Sequence, residues 1–177
     1  MRFLQNCLAL ICILLAFNGI AQKVTPVKFD YAISDTSFKV GDTLEIIVNI
    51  KIENGWSVYS SEFAADGPLK FEFKAEKSKN FTVAGPLKPY KPFMHYDEVW
   101  EAEVKIFEER AQFRIPIVIK KKGPALFTAS FSGQACKEVC VPISDAVAVD
   151  INTLPLGSYQ SADPEVYSHY ISIAAPK

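Results

Sequence analysis

Thr43-Leu44-Glu45-Ile46-Ile47-Val48-Asn49-Ile50-Lys51-Ile52-Glu53 places Leu44, Ile46, Val48, Ile50 and Ile52 at every second position. Successive side chains of an extended strand point to opposite faces, so this parity builds one apolar face. The β-branched residues that fill the run suit a pleated, half-buried surface. Asn54-Gly55 follows at once, a turn dipeptide that demands a positive φ at the glycine. The segment therefore reads as a long strand closed by a tight turn.

The chain on both sides repeats the pattern. Upstream, Val27 to Ser34 alternates with Phe29 and Tyr31 on one face, and Phe38-Lys39-Val40 runs into the turn Gly41-Asp42. Downstream, Trp56 to Ser60 opens a strand and Ala64-Ala65-Asp66-Gly67-Pro68 forms a loop. Leu69, Phe71 and Phe73 then alternate toward Ala75, and Phe81 to Val83 is a short strand. Gly85 to Pro92 holds three prolines and reads as a rigid irregular crossing. Val99 to Glu108 and Ala111 to Lys120 are expected to pair as a hairpin, with Pro116 marking an edge strand or a bulge. Ala125 to Gln134 and Val139 to Ile151 are the last two strands. Strand after strand, short turns and no amphipathic helical period predict an all-β, immunoglobulin-like β-sandwich. At 177 residues the chain holds one ordinary domain, large enough to bury a core unaided.

The first residues read as a targeting segment. Arg2 precedes an apolar stretch from Cys7 to Phe17, and Gly19-Ile20-Ala21 offers the small residues that signal peptidase reads. Cleavage is expected after Ala21, leaving Gln22 first. An uncleaved anchor is the next reading, over a stretch somewhat short for a spanning helix. The domain plan is a signal peptide over 1–21, the sandwich over 22–153 and a tail or linker over 154–177, where Tyr159, Tyr167, Tyr170 and Ile171 either pack on the body or make a short helix after Pro164. The 19 basic residues less Arg2 leave 18 against 20 acidic ones, with no block of either sign. That balance excludes a nucleic-acid or anionic-membrane binder. The one basic run, Lys120-Lys121-Lys122, precedes Gly123-Pro124 and reads as a solvated turn.

Removal of the signal peptide also removes Cys7 and Cys12, leaving Cys136 and Cys140 in an oxidising compartment, the periplasm. Both stand in Gly133-Gln134-Ala135-Cys136-Lys137-Glu138-Val139-Cys140-Val141-Pro142, at the junction of the last two strands, where a turn brings two sulfurs within bonding reach. A bridge over so short a loop adds little stability. Two uses stay open: an inert structural disulfide, or thiol–disulfide exchange, in which one thiolate attacks and its neighbour resolves the mixed disulfide. Lys137 favours a thiolate and Glu138 opposes one. A metal site lacks ligands, since His95 and His169 lie far away in sequence and two thiols need two more donors. No cofactor motif and no nucleophile–histidine pairing is present.

Three stretches resemble a known family, the N-terminal periplasmic domain of the thiol:disulfide interchange protein DsbD, in a stand-alone form. They are Gly55-Trp56-Ser57-Val58-Tyr59-Ser60; His95-Tyr96-Asp97-Glu98-Val99-Trp100 with the later Phe113-Arg114-Ile115-Pro116-Ile117; and Cys136 to Pro142. The resemblance spans roughly Val27 to Val149. It implies a sandwich with the redox pair Cys136 and Cys140 at its exposed end, Cys140 being favoured as the attacking sulfur. It implies a cap loop, Asp97, Glu98, Val99 and Trp100, with Trp100 as the lid over the pair and Tyr59 as a supporting aromatic. It further implies thioredoxin-like periplasmic partners, among them disulfide isomerases and cytochrome c maturation thioredoxins. Electrons would come from a separate membrane donor, because this sequence carries no membrane or thioredoxin-like domain. The rival expectations are an immunoglobulin-like binding module with an inert disulfide, and a docking subunit that exchanges no electrons.

Overall fold

Alternating apolar residues become eleven strands in a computed structural model that describes residues 25–157. They are β1 (Val27–Ile33), β2 (Thr43–Ile52), β3 (Ser57–Tyr59), β4 (Glu72–Ala75), β5 (Phe81–Val83), β6 (Lys88–Pro89), β7 (Phe93–Asp97), β8 (Ala102–Glu108), β9 (Arg110–Ile119), β10 (Leu126–Cys136) and β11 (Cys140–Asp150). A single 3-10 turn, Ile151–Thr153, follows. The targeting segment with its cleavage after Ala21, His169 and the proposed packing or helix beyond Pro164 lie outside the described residues.

The strands form two antiparallel sheets. One runs β1-β2-β9-β5, with β6 also on β9; the other runs β11-β10-β3-β8-β7, with β4 also on β10. Face to face they make the immunoglobulin-like β-sandwich. The parity of β2 holds: Leu44, Ile46, Val48, Ile50 and Ile52 are all buried. They meet Phe71, Phe81, Phe107, Phe113, Phe127 and Phe131 between the sheets. Phe71 stacks on Phe113 at 4.3 Å between centroids and lies 6.0 Å from Phe131. Each such ring contributes about 1.5–3 kcal/mol on leaving water. Tyr31 closes one open side of the sandwich, donating to Asp145 Oδ2 of β11 at 2.6 Å.

Three expectations are corrected. β8 and β9 are not a hairpin: β8 pairs with β3 and β7, while β9 pairs with β2, β5 and β6. Between them Glu109 takes a φ of 57° and its carbonyl accepts from Ile52 N–H at 2.8 Å, so the chain turns a corner from one sheet to the other. Pro116 is on neither an outer edge strand nor a bulge, because β9 is flanked on both sides. Its carbonyl accepts from Ala84 N–H at 2.8 Å, so its missing donor faces that same side. There the flanking pairing is split into β5 and β6, and the ladder is interrupted where the proline has nothing to donate. Leu69 does not share the buried face of Phe71; it is 58% exposed, and the strand begins only at Glu72.

The turn at Asn54-Gly55 forms with Gly55 at φ 78°, and it joins the two sheets rather than two neighbours. Leu154 is buried, and Leu156 bridges Ile33 in parallel, with Ile33 N–H donating to Pro155 O at 2.9 Å and Gly157 N–H to Ile33 O at 2.7 Å. The first residues of the expected tail thus lie along β1.

Candidate functional site

β10 and β11 pair in unbroken register until Cys136 faces Cys140. Beyond them Lys137 N–H donates to Val139 O at 3.1 Å and closes the loop. Hydrogen-bonded and non-hydrogen-bonded pairs alternate along an antiparallel ladder, so the cysteines occupy a non-hydrogen-bonded pair, where side chains approach most closely. Their Cα atoms are 4.1 Å apart and the sulfurs are joined as a disulfide.

The two halves of the bridge differ. Cys136 belongs to a strand with neighbours on both sides: β11 on one, and on the other β3, whose Ser57 pairs with it and donates from Oγ to its carbonyl at 3.3 Å. Cys136 is half-buried. Cys140 starts β11, an edge strand, and is exposed. The loop residues Lys137, Glu138 and Val139 are exposed as well, and the Lys137 side chain folds toward Gly55.

Strand alternation places Cys136 with Gln134, Tyr59, Val104 and Ile106 on the outer face of the second sheet. Tyr59, Val104 and Ile106 make a small second core, covered by Phe63 and Ala65 of the segment between β3 and β4, and Cys136 packs against it. The Tyr59 and Phe63 rings are 6.1 Å apart. A buried satellite cluster under a connecting segment explains why an outward-facing tyrosine is only 2% exposed.

Tyr59 ties this cluster to the predicted cap loop. Its hydroxyl donates to Asp97 Oδ2 at 2.5 Å. The other carboxylate oxygen, Oδ1, accepts from Val99 N–H at 2.9 Å and Trp100 N–H at 3.2 Å, which folds the loop into a turn on its own aspartate. Burial pushes the Asp97 carboxyl up, but the Tyr59 hydroxyl, the Trp100 and Val99 amides and nearby His95 outweigh it and hold the carboxyl below its ordinary value. Burial first, then the bond to Asp97, pushes the Tyr59 phenol far up, so it stays a donor.

Trp100 is in this turn and not on a core strand. Its ring lies against Gly67 of the covering segment, where a Cβ would come within 2.2 Å of Cε3. Trp100 is 39% exposed and Val99 80%, and Glu98 also faces solvent. Cys136, Tyr59, Asp97 and Trp100 are therefore linked through one patch, with Glu98 and Val99 at its exposed tip.

The sequence reading missed Gln134, Phe63 and Gly67. Gln134 is buried, and its Nε2 donates to Cys136 Sγ at 3.2 Å while its Oε1 accepts from Leu69 N–H at 3.3 Å. The signal was available, because a residue two positions before a strand cysteine shares its face. Phe63 and Gly67 sit in a segment without periodicity, and nothing local marks their partners.

A family model described as "Thiol:disulfide interchange protein DsbD, N-terminal" matches residues 23–150. No curated protein matches the chain by sequence. Among solved structures, the N-terminal periplasmic domain of ScsB from Proteus mirabilis is similar with a TM-score of 0.51 at 15% identity, over 84% of this chain and 51% of that one. The DsbD N-terminal domain of Neisseria meningitidis in its reduced form gives 0.45 at 17% identity, over 69% and 84%. A complex between the DsbD N-terminal and PilB N-terminal domains of Neisseria meningitidis gives 0.48 at 15% identity, over 74% and 88%.

Proposed function

The chain belongs to the family of DsbD N-terminal thiol:disulfide interchange domains, and on that premise we propose that it relays electrons in the periplasm between thioredoxin-fold partners through Cys136 and Cys140. The observation that carries the reading is the position of the bridge. It closes the end of a hairpin, with one sulfur-bearing residue exposed on an edge strand and the other half-buried. A disulfide placed to staple the fold would join distant segments. This one spans a sequence separation of four, which the chain-entropy relation values at about 2 kcal/mol.

In this reading an incoming thiolate reaches Cys140, the accessible half, and Cys136 is the resolving half. The complex of the Neisseria DsbD N-terminal domain with a PilB domain supports partner proteins of this kind, and the periplasmic ScsB domain supports the compartment. A membrane electron donor reduces the pair, and disulfide isomerases or cytochrome c maturation thioredoxins receive the electrons. Asp97, Glu98, Val99 and Trp100 act as a cap held shut through Tyr59, which limits access until a partner displaces it.

The test is the reduction potential of the Cys136–Cys140 pair in the mature protein, equilibrated against glutathione or dithiothreitol buffers. A value well above roughly -300 mV, the level below which structural bridges lie, supports exchange. C136A should then trap partners as mixed disulfides on Cys140. A lower value with slow reduction of the folded protein rejects the relay in favour of a binding module with an inert disulfide.

A further inference from the structure

We infer that Gln134 is a catalytic residue of the exchange reaction: its side-chain amide stabilises the Cys136 thiolate and so makes Cys136 the leaving sulfur and Cys140 the sulfur that is attacked. The inference rests on the exchange reading above and assigns a direction to the chemistry inside the pair.

The geometry begins with an orientation that chemistry enforces. A backbone N–H can only donate, so Leu69 N–H fixes the oxygen of the Gln134 amide on its side. The NH2 group is thereby turned toward Cys136 Sγ, 3.2 Å away. Gln134 is 8% exposed, its side chain held between β10 and the covering segment, so the donor is already in place before reaction. The apolar cluster against Cys136 — Tyr59, Val104, Ile106, Phe63 and Ala65 — includes one titrating group, Tyr59, whose hydroxyl is committed to Asp97, and Lys70 Nζ sits over the Phe63 ring at 5.0 Å from its centroid. Lys137 and Glu138 flank the sulfur in the loop with opposite charges. Cys140 lies on the exposed edge strand, where water solvates whatever charge it carries.

The amide contact is weak while Cys136 is half of a disulfide, because a bonded sulfur is a poor acceptor. It strengthens as charge develops, since a hydrogen bond to an ion is roughly twice as strong as a neutral one. In the reducing half-reaction the thiolate of a protein dithiol attacks Cys140 Sγ. The Cys136–Cys140 bond breaks, its electron pair goes to Cys136 Sγ, and a bond forms between the partner sulfur and Cys140. The partner's second thiolate then attacks its own sulfur in that mixed disulfide and releases Cys140 as a thiolate, leaving the partner oxidised and the domain with two electrons. In delivery, Cys140 thiolate attacks an oxidised acceptor, and Cys136 thiolate displaces the acceptor from Cys140. In the first of these steps Gln134 faces the sulfur that takes up the charge, and in the last it faces the sulfur that gives the charge up; in the two between, the charge is on Cys140. Lower thiol pKa speeds departure of a leaving group, which is the term this contact controls.

Two near-isosteric variants test it. Q134L removes both the donor and the acceptor for Leu69. Q134E keeps the acceptor for Leu69 N–H and replaces the donor toward sulfur with a carboxylate oxygen. The readout is the Cys136 thiol pKa in a C140S background, from the pH dependence of its alkylation by iodoacetamide, which needs no exchange reaction. The expected result is a rise of about one unit in Q134L, a tenfold loss of thiolate at neutral pH, and a larger rise in Q134E. In the intact pair, reduction by dithiothreitol should slow several-fold, because only part of the charge has developed on the leaving sulfur in the transition state, and the potential should move toward more reducing values by about 30 mV for each tenfold change in equilibrium constant. A purely structural role predicts the reverse order, with Q134E the milder variant. An unchanged Cys136 pKa in Q134E, with the variant folded by circular dichroism, overturns the inference and leaves the exchange reading intact. A shifted Cys136 pKa together with a wild-type potential below roughly -300 mV would uphold the contact but remove the reaction it is assigned to, and so overturns the catalytic role.

Discussion

Replacing Tyr59 with phenylalanine removes one oxygen from the protein and should register both in stability and in access to the disulfide. The phenol is 2% exposed and its hydroxyl donates to Asp97, itself 9% exposed. Y59F keeps the ring, and so keeps the packing on Phe63, Val104 and Ile106, but leaves the carboxylate with only the Val99 and Trp100 amides as named donors. A hydrogen bond to a charged group is worth about 1.5–3 kcal/mol, so the variant should lose about 2 kcal/mol at pH 7. With a urea m-value of about 1–3 kcal/mol per molar, the midpoint falls by about 1 M.

The effect has a defined pH dependence. Asp97 is held below its ordinary value in the folded protein. Its contribution is therefore fully present above the unfolded value, about 3.9, and drains away as the pH falls through the lower folded value. Y59F raises that folded value, so the wild type has more to lose in acid and the two stability curves converge there. Urea denaturation at pH 7 and at pH values stepped down through the acid range, followed by tryptophan fluorescence with the disulfide intact, follows that convergence. Because the same bond holds the cap turn, reduction by dithiothreitol at pH 7 should accelerate several-fold. A pH 7 loss under 0.5 kcal/mol, or a loss that stays the same down to the lowest pH at which both proteins fold, would refute the energetic reasoning about Asp97. An unchanged reduction rate with the full stability loss would refute the cap.

Three further outcomes are expected. G67A places a Cβ within 2.2 Å of Trp100 Cε3 at a φ of 130°, so the ring must leave its seat; the cost is on the order of 1–3 kcal/mol, and in a W56F background the emission should shift to the red. F131A empties the centre of a group that includes Phe71, Phe29, Tyr31 and Phe73 and should lose about 3–5 kcal/mol by urea denaturation. The double variant C136A/C140A should fold with the same circular dichroism spectrum and lose only about 2 kcal/mol, since the closed loop is so short; failure to fold would mean that the bridge is structural.

By itself the sequence determined what is local. Alternation along one strand records which of two faces leaves water, and the parity of β2 from Leu44 to Ile52 could be read from that rule alone. Asn54-Gly55 announced a turn because only certain residues accept a positive φ, and Gly55 has one. Two cysteines at the junction of two alternating runs announced a bridge, and β10 and β11 supplied the register for it. Tertiary structure decided whatever depends on partners distant along the chain. β8 and β9 each read as strands, yet nothing local shows that Glu109 turns the chain out of one sheet into the other, because sheet membership is settled by the competing pairings of β2 and β3. Pro116 looked like an edge marker and is internal, since its lost donor is absorbed where β5 gives way to β6. The bond from Tyr59 to Asp97 spans 38 residues, and the Gln134 amide is aimed at sulfur only because Leu69, 65 residues away, holds its oxygen. Periodicity reports which face of a strand is buried, whereas these contacts depend on which segment is laid over that face, and only the folded chain specifies that.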